Sequence, residues 1–210
     1  MKDAQDVAEL LIRIGYAVDS GFDLTLKEMN KMVANFSDKV SEGEGVLFYF
    51  SGHGSQHEGV NWLVPVDCNA TDEEEFARNA KSIDKIMTRL KAAKFRVLIL
   101  DACRSNQFGR RSRDSATRGL AVMNGTLDCP EGELVCYATM PGATANDGKP
   151  GSNGVFTGAL LRRFGTPGLT ISEIMRAVRK DVKEATGGRQ VPWESTTLTE
   201  NWYPAGPKTD

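Results

Sequence analysis

The sequence predicts an α/β fold in which helices cover both faces of a mostly parallel sheet. Three short runs without charged residues are rich in β-branched and aromatic side chains, as expected for strands that are buried on both faces; they occupy residues 46–50, 97–100 and 134–138. Helical patterns separate these runs, so helices and strands alternate along the chain. With 210 residues and 40% hydrophobic content, the chain suffices for one domain with a substantial core.

The first part of the chain predicts two helices and a short strand. Apolar residues recur on one helical stripe over residues 3–14, and Gly15 follows where a helix would end. Residues 16–18 then predict a short strand. Thr25 and Glu28 have the spacing of a capping box, in which each residue bonds the backbone N–H of the other, so a second amphipathic helix begins there.

The later part of the chain continues the alternation. A helix that contains Ile83, Ile86 and Leu90 lies between the first two apolar runs, and another is predicted over residues 153–164. A third helix begins at a Thr170/Glu173 capping box and extends to about Gly187. Residues 196–198 predict a last strand.

The composition of the chain argues against several classes of protein and several kinds of partner. The formal charge of −2 gives no global field that favours nucleic acid or an anionic membrane. The chain has no apolar run long enough to span a bilayer and no signal-peptide pattern at its start, so we expect a soluble cytoplasmic protein. Four cysteines without a Cys-x-x-Cys pair argue against a disulfide framework or a thiolate zinc site.

Two chemically reactive side chains follow predicted strands directly. His53 lies in Ser-Gly-His-Gly after the first apolar run, and Cys103 lies in Asp-Ala-Cys-Arg after the second. Because the carboxyl ends of parallel strands meet at one edge of a sheet, we expect both residues at that edge. Each residue taken alone has a plain structural reading, a buried cysteine or a surface histidine, but together they predict a thiol nucleophile with its base.

This pair has the chemistry of a cysteine peptidase. A thiol is mostly protonated at neutral pH, so attack on a peptide bond requires an imidazole that accepts its proton. The oxyanion that forms needs hydrogen-bond donors, and we expect the backbone N–H groups of Gly54 and Cys103 to supply them because neither residue is expected inside a strand ladder.

Both motifs resemble those of the caspase, paracaspase and metacaspase superfamily. Residues 48–54, Phe-Tyr-Phe-Ser-Gly-His-Gly, and residues 98–104, Leu-Ile-Leu-Asp-Ala-Cys-Arg, are similar to its histidine and cysteine motifs, with the separation of about 50 residues seen in caspases. The resemblance is closest to paracaspases and bacterial caspase-like proteins, and it implies a three-layer sandwich over residues 1–204, followed by a tail at 205–210. It also implies peptide or protein substrates and the function of a cysteine endopeptidase.

The resemblance further implies specificity for a basic residue before the scissile bond. Asp101 occupies the position where true caspases have glutamine, and paracaspases and metacaspases share an aspartate there. Asp147 matches a second pocket acid of paracaspases. Two carboxylates would hold Arg, and less well Lys, by charge-assisted bonds and repel acidic residues. The alternatives are a capping or turn aspartate at position 101 and an ordinary Asp-Gly turn at position 147.

An arginine-rich segment follows the cysteine motif. Residues 104–119 contain five arginines and one aspartate and almost no apolar residue, which is typical of an exposed loop. By resemblance this loop links a large-subunit-like part, residues 1–103, to a small-subunit-like part, residues 120–204. An enzyme that prefers arginine could cut itself there, at Arg110, Arg111, Arg113 or Arg118. The alternative is a solvated loop that is never cut.

No residues predict a metal site or an organic cofactor. His57 follows His53 by four residues, but the intervening Gly-Ser-Gln does not form the helix that a zinc pair requires. Residues 72–75 are acidic, yet they lack the alternating ligand spacing of a calcium loop, so a solvated acidic turn is expected. Many metacaspases require calcium, so calcium dependence stays open.

One element of the resembled fold is missing from the sequence. That fold opens with an apolar strand in the middle of the sheet, whereas this sequence begins at the helix that follows it. The end of that strand normally contributes a further pocket residue. A catalytically silent scaffold or dimerisation module is therefore an alternative function. Caspase-like domains often dimerise through their last strand, so residues 196–198 are a candidate homodimer contact.

Overall fold

The computed structural model describes residues 1–57, 60–103, 132–140 and 145–208, without the side chains of Gln56, His57 and Cys103. Within these ranges the chain forms six helices and six strands. The helices are α1 (Lys2–Arg13), α2 (Leu26–Ser37), α3 (Glu73–Asn79), α4 (Ile83–Arg89), α5 (Val155–Phe164) and α6 (Ile171–Ala185). The strands are β1 (Gly45–His57), β2 (Val60–Leu63), β3 (Lys81–Ser82), β4 (Phe95–Cys103), β5 (Glu133–Tyr137) and β6 (Trp193–Thr196).

The strands form one sheet in the order β3-β2-β1-β4-β5-β6. β1, β4 and β5 are parallel, while β2, β3 and β6 pair antiparallel with their neighbours. The prediction of a mostly parallel central sheet is therefore confirmed. Among the described residues, no strand precedes β1.

Two apolar layers explain why the strand sequences have no polar face. Along β4, Val97 and Ile99 pack into one core with α1, α5 and α6, whereas Leu98 and Leu100 pack into the opposite core with α4. Successive side chains of a strand point to opposite faces, so a strand that is covered on both sides needs an unbroken apolar run. The expected sandwich of helices, sheet and helices follows from this alternation.

The capping boxes mark helix starts as the sequence predicts. Thr25 and Glu28 bond each other's backbone N–H at the start of α2, and Thr170 and Glu173 do so at the start of α6. Each bond satisfies a backbone donor that the first helical turn leaves free. The apolar stripe of α6 then lies in the core, where Ile174 and Val178 are fully buried.

Several local predictions were wrong. Residues 16–18 form no strand, since no neighbouring strand among the described residues pairs with them. Residues 72–75 are not a simple turn, because the Asp72 side chain accepts the backbone N–H of Glu75 and caps α3. The last strand is Trp193–Thr196 rather than 196–198, because its pairing with β5 begins at Tyr137 opposite Trp193. β2, β3 and α3 were not predicted.

Phe156 anchors the first turn of α5 to the sheet, and its loss should be costly. Its side chain is completely buried in the core that contains Val97 and Ile99. We expect Phe156→Ala to lower the free energy of unfolding by about 3–5 kcal/mol, because it removes a large buried ring and leaves a cavity. Chemical denaturation measures this loss. Phe36→Ala, at a half-buried ring, is the matched control, and an equal loss in both variants would contradict the anchoring role.

Candidate active site

The two residues predicted to react are backbone neighbours at the carboxyl end of the parallel ladder between β1 and β4. β1 and β4 pair in parallel from Gly45 opposite Phe95 to His53 opposite Cys103. Neighbouring strands lie about 4.8 Å apart, so positions 53 and 103 face each other across the last pair of this ladder. The His53 side chain is exposed. The side chain of Cys103 lies outside the described part of the structure.

His53 also marks the point where β1 changes partner. Residues Gly45 to His53 pair with β4, and residues Gly54 to His57 pair with β2. The expectation that Gly54 and Cys103 lie outside strand ladders is therefore wrong. Each residue occupies the terminal pair of a ladder, Gly54 opposite Leu63 and Cys103 opposite His53. The reason is that β1 continues through the glycines as one strand and does not turn away there.

Asp101 lies on β4 two residues before Cys103 and is bound to helix α5. Its Oδ2 accepts a hydrogen bond from the hydroxyl of Thr157 at 2.5 Å. Burial raises the pKa of Asp101 to about 6, the hydrogen bond from Thr157 acts in the opposite direction, and the charges of Asp3 and Asp147 raise it further. Asp101 is thus an acid in a crowded acidic site at the start of α5, where a hydrogen bond from the Thr157 backbone also acts to lower its pKa.

Thr157 connects Asp101 to a partly buried tyrosine. The hydroxyl groups of Tyr49 and Thr157 are 2.5 Å apart. A threonine hydroxyl has one proton, and Thr157 donates it to Asp101, so Tyr49 must be the donor to Thr157. Burial raises the pKa of Tyr49 well above its usual value, and the charge of Asp101 adds to this effect. Tyr49 therefore keeps its proton and holds Thr157 in the orientation that serves Asp101.

Asp3 is a site residue that the sequence reasoning missed. It lies in the first turn of α1, where an acidic residue looks like ordinary helix capping chemistry. Its Oδ1 accepts hydrogen bonds from the Asn153 side chain and the Gly154 backbone N–H, both at 3.0 Å. Its Oδ2 accepts a bond from the Ser51 hydroxyl at 3.3 Å. Asp3 thereby joins α1 to β1 and to the start of α5.

Gly154 separates the carboxylates of Asp3 and Asp101. It is the residue that precedes α5, and a Cβ at this position would lie 3.3 Å from an Oδ2 atom of each aspartate. The amino end of a helix carries partial positive charge, so this end of α5 stabilises the two carboxylates that converge on it. Neither Gly154 nor Thr157 is distinguished by a sequence motif, since only the packing of α5 against β1 and β4 gives them a role.

Asp147 completes the acidic group from a loop. Its carboxylate is exposed, and its charge reaches Asp101. The adjacent Asn146 fixes the loop, because its backbone N–H bonds the Gln190 side chain and its carbonyl accepts the Val155 N–H, both at 3.0 Å. Gly148 adopts a left-handed φ of 76°, and its backbone N–H bonds the Asn146 side chain at 2.9 Å. The structure thus brings Asp3, Asp101 and Asp147 together around the start of α5.

The Thr157 hydroxyl should control the pKa of Asp101. We expect Thr157→Val to raise that pKa above about 6, because the variant loses the hydrogen bond that favours the ionised carboxylate. The chemical shift of the Asp101 side-chain carboxyl carbon, followed by NMR as a function of pH, measures this pKa directly. Thr157→Ser retains the hydroxyl and should leave the pKa near that of the wild type, and an unchanged pKa in the valine variant would contradict the assignment.

The predicted self-cleavage sites and the second histidine of the sequence do not belong to this acidic group. Arg110, Arg111, Arg113 and Arg118 lie outside the described residues, as does the His57 side chain. Within the described ranges, no three His, Cys, Asp or Glu side chains are grouped to hold a metal ion. No helix in those ranges combines the length and apolar character needed to cross a membrane.

Comparison with known proteins gives one family and two relatives. The family model described as the caspase domain matches residues 1–203. The human mucosa-associated lymphoid tissue lymphoma translocation protein 1 is 28% identical over 202 residues, and its mouse homolog is 29% identical over the same length. These matches cover 94% of this chain but 23% of each relative. The chain therefore spans about a quarter of the length of these relatives.

Proposed function

The chain belongs to the caspase-domain family, and we propose that it is a cysteine endopeptidase that cleaves after basic residues, with Arg preferred over Lys. The observation that carries this proposal is the placement of His53 opposite Cys103 in the last pair of β1 and β4, with Asp101 two residues before the cysteine on the same strand. A nucleophile, a base and an acidic pocket thus share one rim of the sheet.

The proposed reaction begins with proton transfer from the Cys103 thiol to the His53 imidazole. The direct backbone pairing of His53 with Cys103 across β1 and β4 supports a transfer over a short distance. The thiolate attacks the carbonyl carbon of the scissile peptide bond and forms a tetrahedral intermediate. His53 then protonates the leaving amine, and water hydrolyses the resulting thioester to release the acid product and the free thiol.

The oxyanion of the intermediate is assigned to the backbone N–H groups of Gly54 and Cys103. Gly54 belongs to the first pair of β1 with β2, and Cys103 belongs to the last described pair of β1 with β4. Gly54 has no side chain, so a substrate backbone can approach it closely. Donors fixed in place before the reaction stabilise the developing charge without reorganisation.

Specificity is assigned to Asp101 and Asp147, with Asp3 as a third acid. Burial raises the pKa of Asp101 most, and the charges of Asp3 and Asp147 raise it further; an arginine side chain that enters offsets both effects, because a nearby positive charge favours the ionised carboxylate. A guanidinium group bonds carboxylates in bidentate geometry, which an ammonium group cannot do. Arg is therefore favoured over Lys, and an acidic substrate residue adds another negative charge and is rejected.

The deciding experiment compares fluorogenic peptides that end in Arg, Lys or Asp, with and without calcium, using the intact chain. We expect cleavage of the Arg peptide first and the Lys peptide more slowly. Cleavage of the Asp peptide would overturn the pocket assignment. No cleavage under any condition would favour the alternative, a scaffold with this fold and no activity. The calcium arm tests the dependence that the sequence leaves open.

Self-cleavage is tested separately, because the arginine-rich loop lies outside the described residues. If Arg110, Arg111, Arg113 or Arg118 is a cleavage site, the wild-type chain gives two fragments on a denaturing gel. The Cys103→Ala chain stays intact under the same conditions. Fragments that persist unchanged in that variant would rule out self-processing.

A further inference from the structure

Gln190 is a buried polar residue in the segment between α6 and β6. It is 2% exposed, whereas glutamine is mostly an exposed residue in proteins. Its backbone N–H bonds the Thr186 hydroxyl at 3.0 Å, and that hydroxyl donates to the Val182 carbonyl at 2.8 Å in the last turn of α6. The end of α6 therefore holds Gln190 in place. Because a buried polar group is costly unless it is hydrogen-bonded, the partners of its side chain indicate its role.

The Gln190 amide joins two backbone groups from different segments of the chain. Its Nε2 donates to the Ala138 carbonyl, just past the end of β5, at 2.9 Å. Its Oε1 accepts the backbone N–H of Asn146 at 3.0 Å. A carbonyl only accepts and an N–H only donates, so the two partners determine the orientation of the amide. An ionised carboxylate has no donor and a thioether has none either, so this bridge requires the amide.

These bonds complete a path between the two carboxylates of the proposed pocket. On one side, the Ala138 N–H bonds the carbonyl of the residue that precedes Asp101 on β4, at 3.0 Å. On the other side, Asn146 directly precedes Asp147. Gln190 is the link between these two ends, so it sets the position of the Asp147 loop relative to the strand that carries Asp101.

Asp147 depends on its neighbour for its position. Its carboxylate is exposed and accepts no hydrogen bond from the described part of the chain. The Asn146 Oδ1 accepts the Gly148 N–H at 2.9 Å and closes the turn around Asp147. Two bonds of the Asn146 backbone hold this turn, one to the Gln190 side chain and one from the Val155 N–H. Loss of the first bond leaves a single anchor, about which the turn is free to rotate.

We propose that Gln190 is a positioning residue, which holds the Asp147 carboxylate where it and Asp101 bind one guanidinium group together. This inference rests on the proposed function, since it concerns the same acidic pocket. A guanidinium group needs carboxylates in a defined geometry, whereas an ammonium group acts as a point charge. The selectivity for Arg over Lys therefore depends on Gln190 more strongly than cleavage itself does.

The first test compares Gln190→Met with the wild type on fluorogenic peptides that end in Arg or Lys. Methionine keeps the length of the side chain and makes neither amide bond. We expect KM for the Arg peptide to rise roughly tenfold or more with kcat little changed, the effect of one lost hydrogen bond to a charged group. The Lys peptide should lose about threefold at most, because a point charge tolerates displacement of one carboxylate.

Leu90→Ala is the control for a loss of stability alone. Leu90 is buried in the opposite core, with α4, so its truncation weakens the fold without contact with the Asp147 loop. The ratio of Arg to Lys cleavage should stay at the wild-type value in this variant. An equal loss for both peptides in Gln190→Met would make Gln190 a residue of general structure and overturn the proposal.

A double-mutant cycle tests whether Gln190 acts through Asp147. In the Asp147→Asn background, Gln190→Met should leave the ratio of Arg to Lys cleavage unchanged, because the carboxylate that Gln190 positions is already absent. A further fall as large as the one in the wild-type background would show that the two residues act independently, and it would overturn the proposal.

A titration that needs no cleavage separates failure of this inference from failure of the proposed function. The charge of Asp147 contributes to the raised pKa of Asp101. Gln190→Met should therefore lower the pKa of Asp101, as Asp147→Asn does, and should have no further effect in the double variant. NMR of the Asp101 carboxyl carbon across pH measures this. A wild type that cleaves no peptide would refute the proposed function, whereas an Asp101 pKa that is the same in Gln190→Met as in the wild type would overturn the positioning of Asp147.

Discussion

Cys103→Ala is expected to abolish cleavage of an arginine-ended peptide, with kcat/KM falling by a factor on the order of 10⁴ or more, because the variant has no nucleophile. His53→Ala should cause a loss of similar size, since the thiol then lacks its base. The double variant should be no worse than either single variant, because residues that act as a unit have strongly non-additive effects. Steady-state kinetics with one fluorogenic substrate measures all three.

Cys68→Ala is the matched control for the nucleophile. Cys68 is half-buried and packs in the small cluster around Trp62 and Phe76, where burial raises the pKa of its thiol. A thiol with a raised pKa is a poor nucleophile at neutral pH, so its removal should leave kcat/KM unchanged. Activity that survives in Cys103→Ala but is lost in Cys68→Ala would move the nucleophile to Cys68 and contradict the proposed dyad.

The core strands could be predicted from the sequence because burial on both faces leaves an unmistakable pattern. β1, β4 and β5 contain unbroken apolar runs, and strands of this kind occur where helices cover both sides of a sheet. The starts of α2 and α6 were also predictable, since a capping box is a local signal. β2 and β3 lack such a signal, because their pairing depends on the continuation of β1 through Gly52 and Gly54.

The candidate site was only partly predictable for the same reason. His53, Cys103 and Asp101 follow apolar runs, so their place at the strand ends could be deduced. Asp3 and Thr157 belong to helices, and their roles arise only when α1 and α5 pack beside the ends of β1 and β4. Distances between distant segments of the chain decide such contacts, and no spacing in the sequence reports them.

Asp101→Asn should cause the second large loss, and only for basic substrates. Removal of one partner of a buried charge pair costs about 2–5 kcal/mol, which corresponds to roughly a 30- to 5,000-fold loss in kcat/KM for the Arg peptide. The amide keeps the size of the side chain and can still accept the Thr157 hydroxyl. Asp38→Asn, at an exposed position after α2, is the matched control and should leave the kinetics unchanged.

The pH dependence separates this role in recognition from a role in folding. The pKa of Asp101 is about 6 in the folded protein and has an ordinary value of 3.8, so ionisation of this group opposes folding. Its contribution to stability therefore decreases as pH rises from 3.8 to about 6 and is constant above that. An asparagine avoids this cost, and we expect Asp101→Asn to be at least as stable as the wild type above pH 6 while it cleaves Arg peptides poorly. Thermal unfolding and kcat/KM as functions of pH measure both effects.

In the wild type, kcat/KM should fall as pH decreases through about 6, where Asp101 loses the charge that binds arginine. Thr157→Val should move this limb to higher pH, whereas a limb that persists unchanged in Asp101→Asn would assign it to another group.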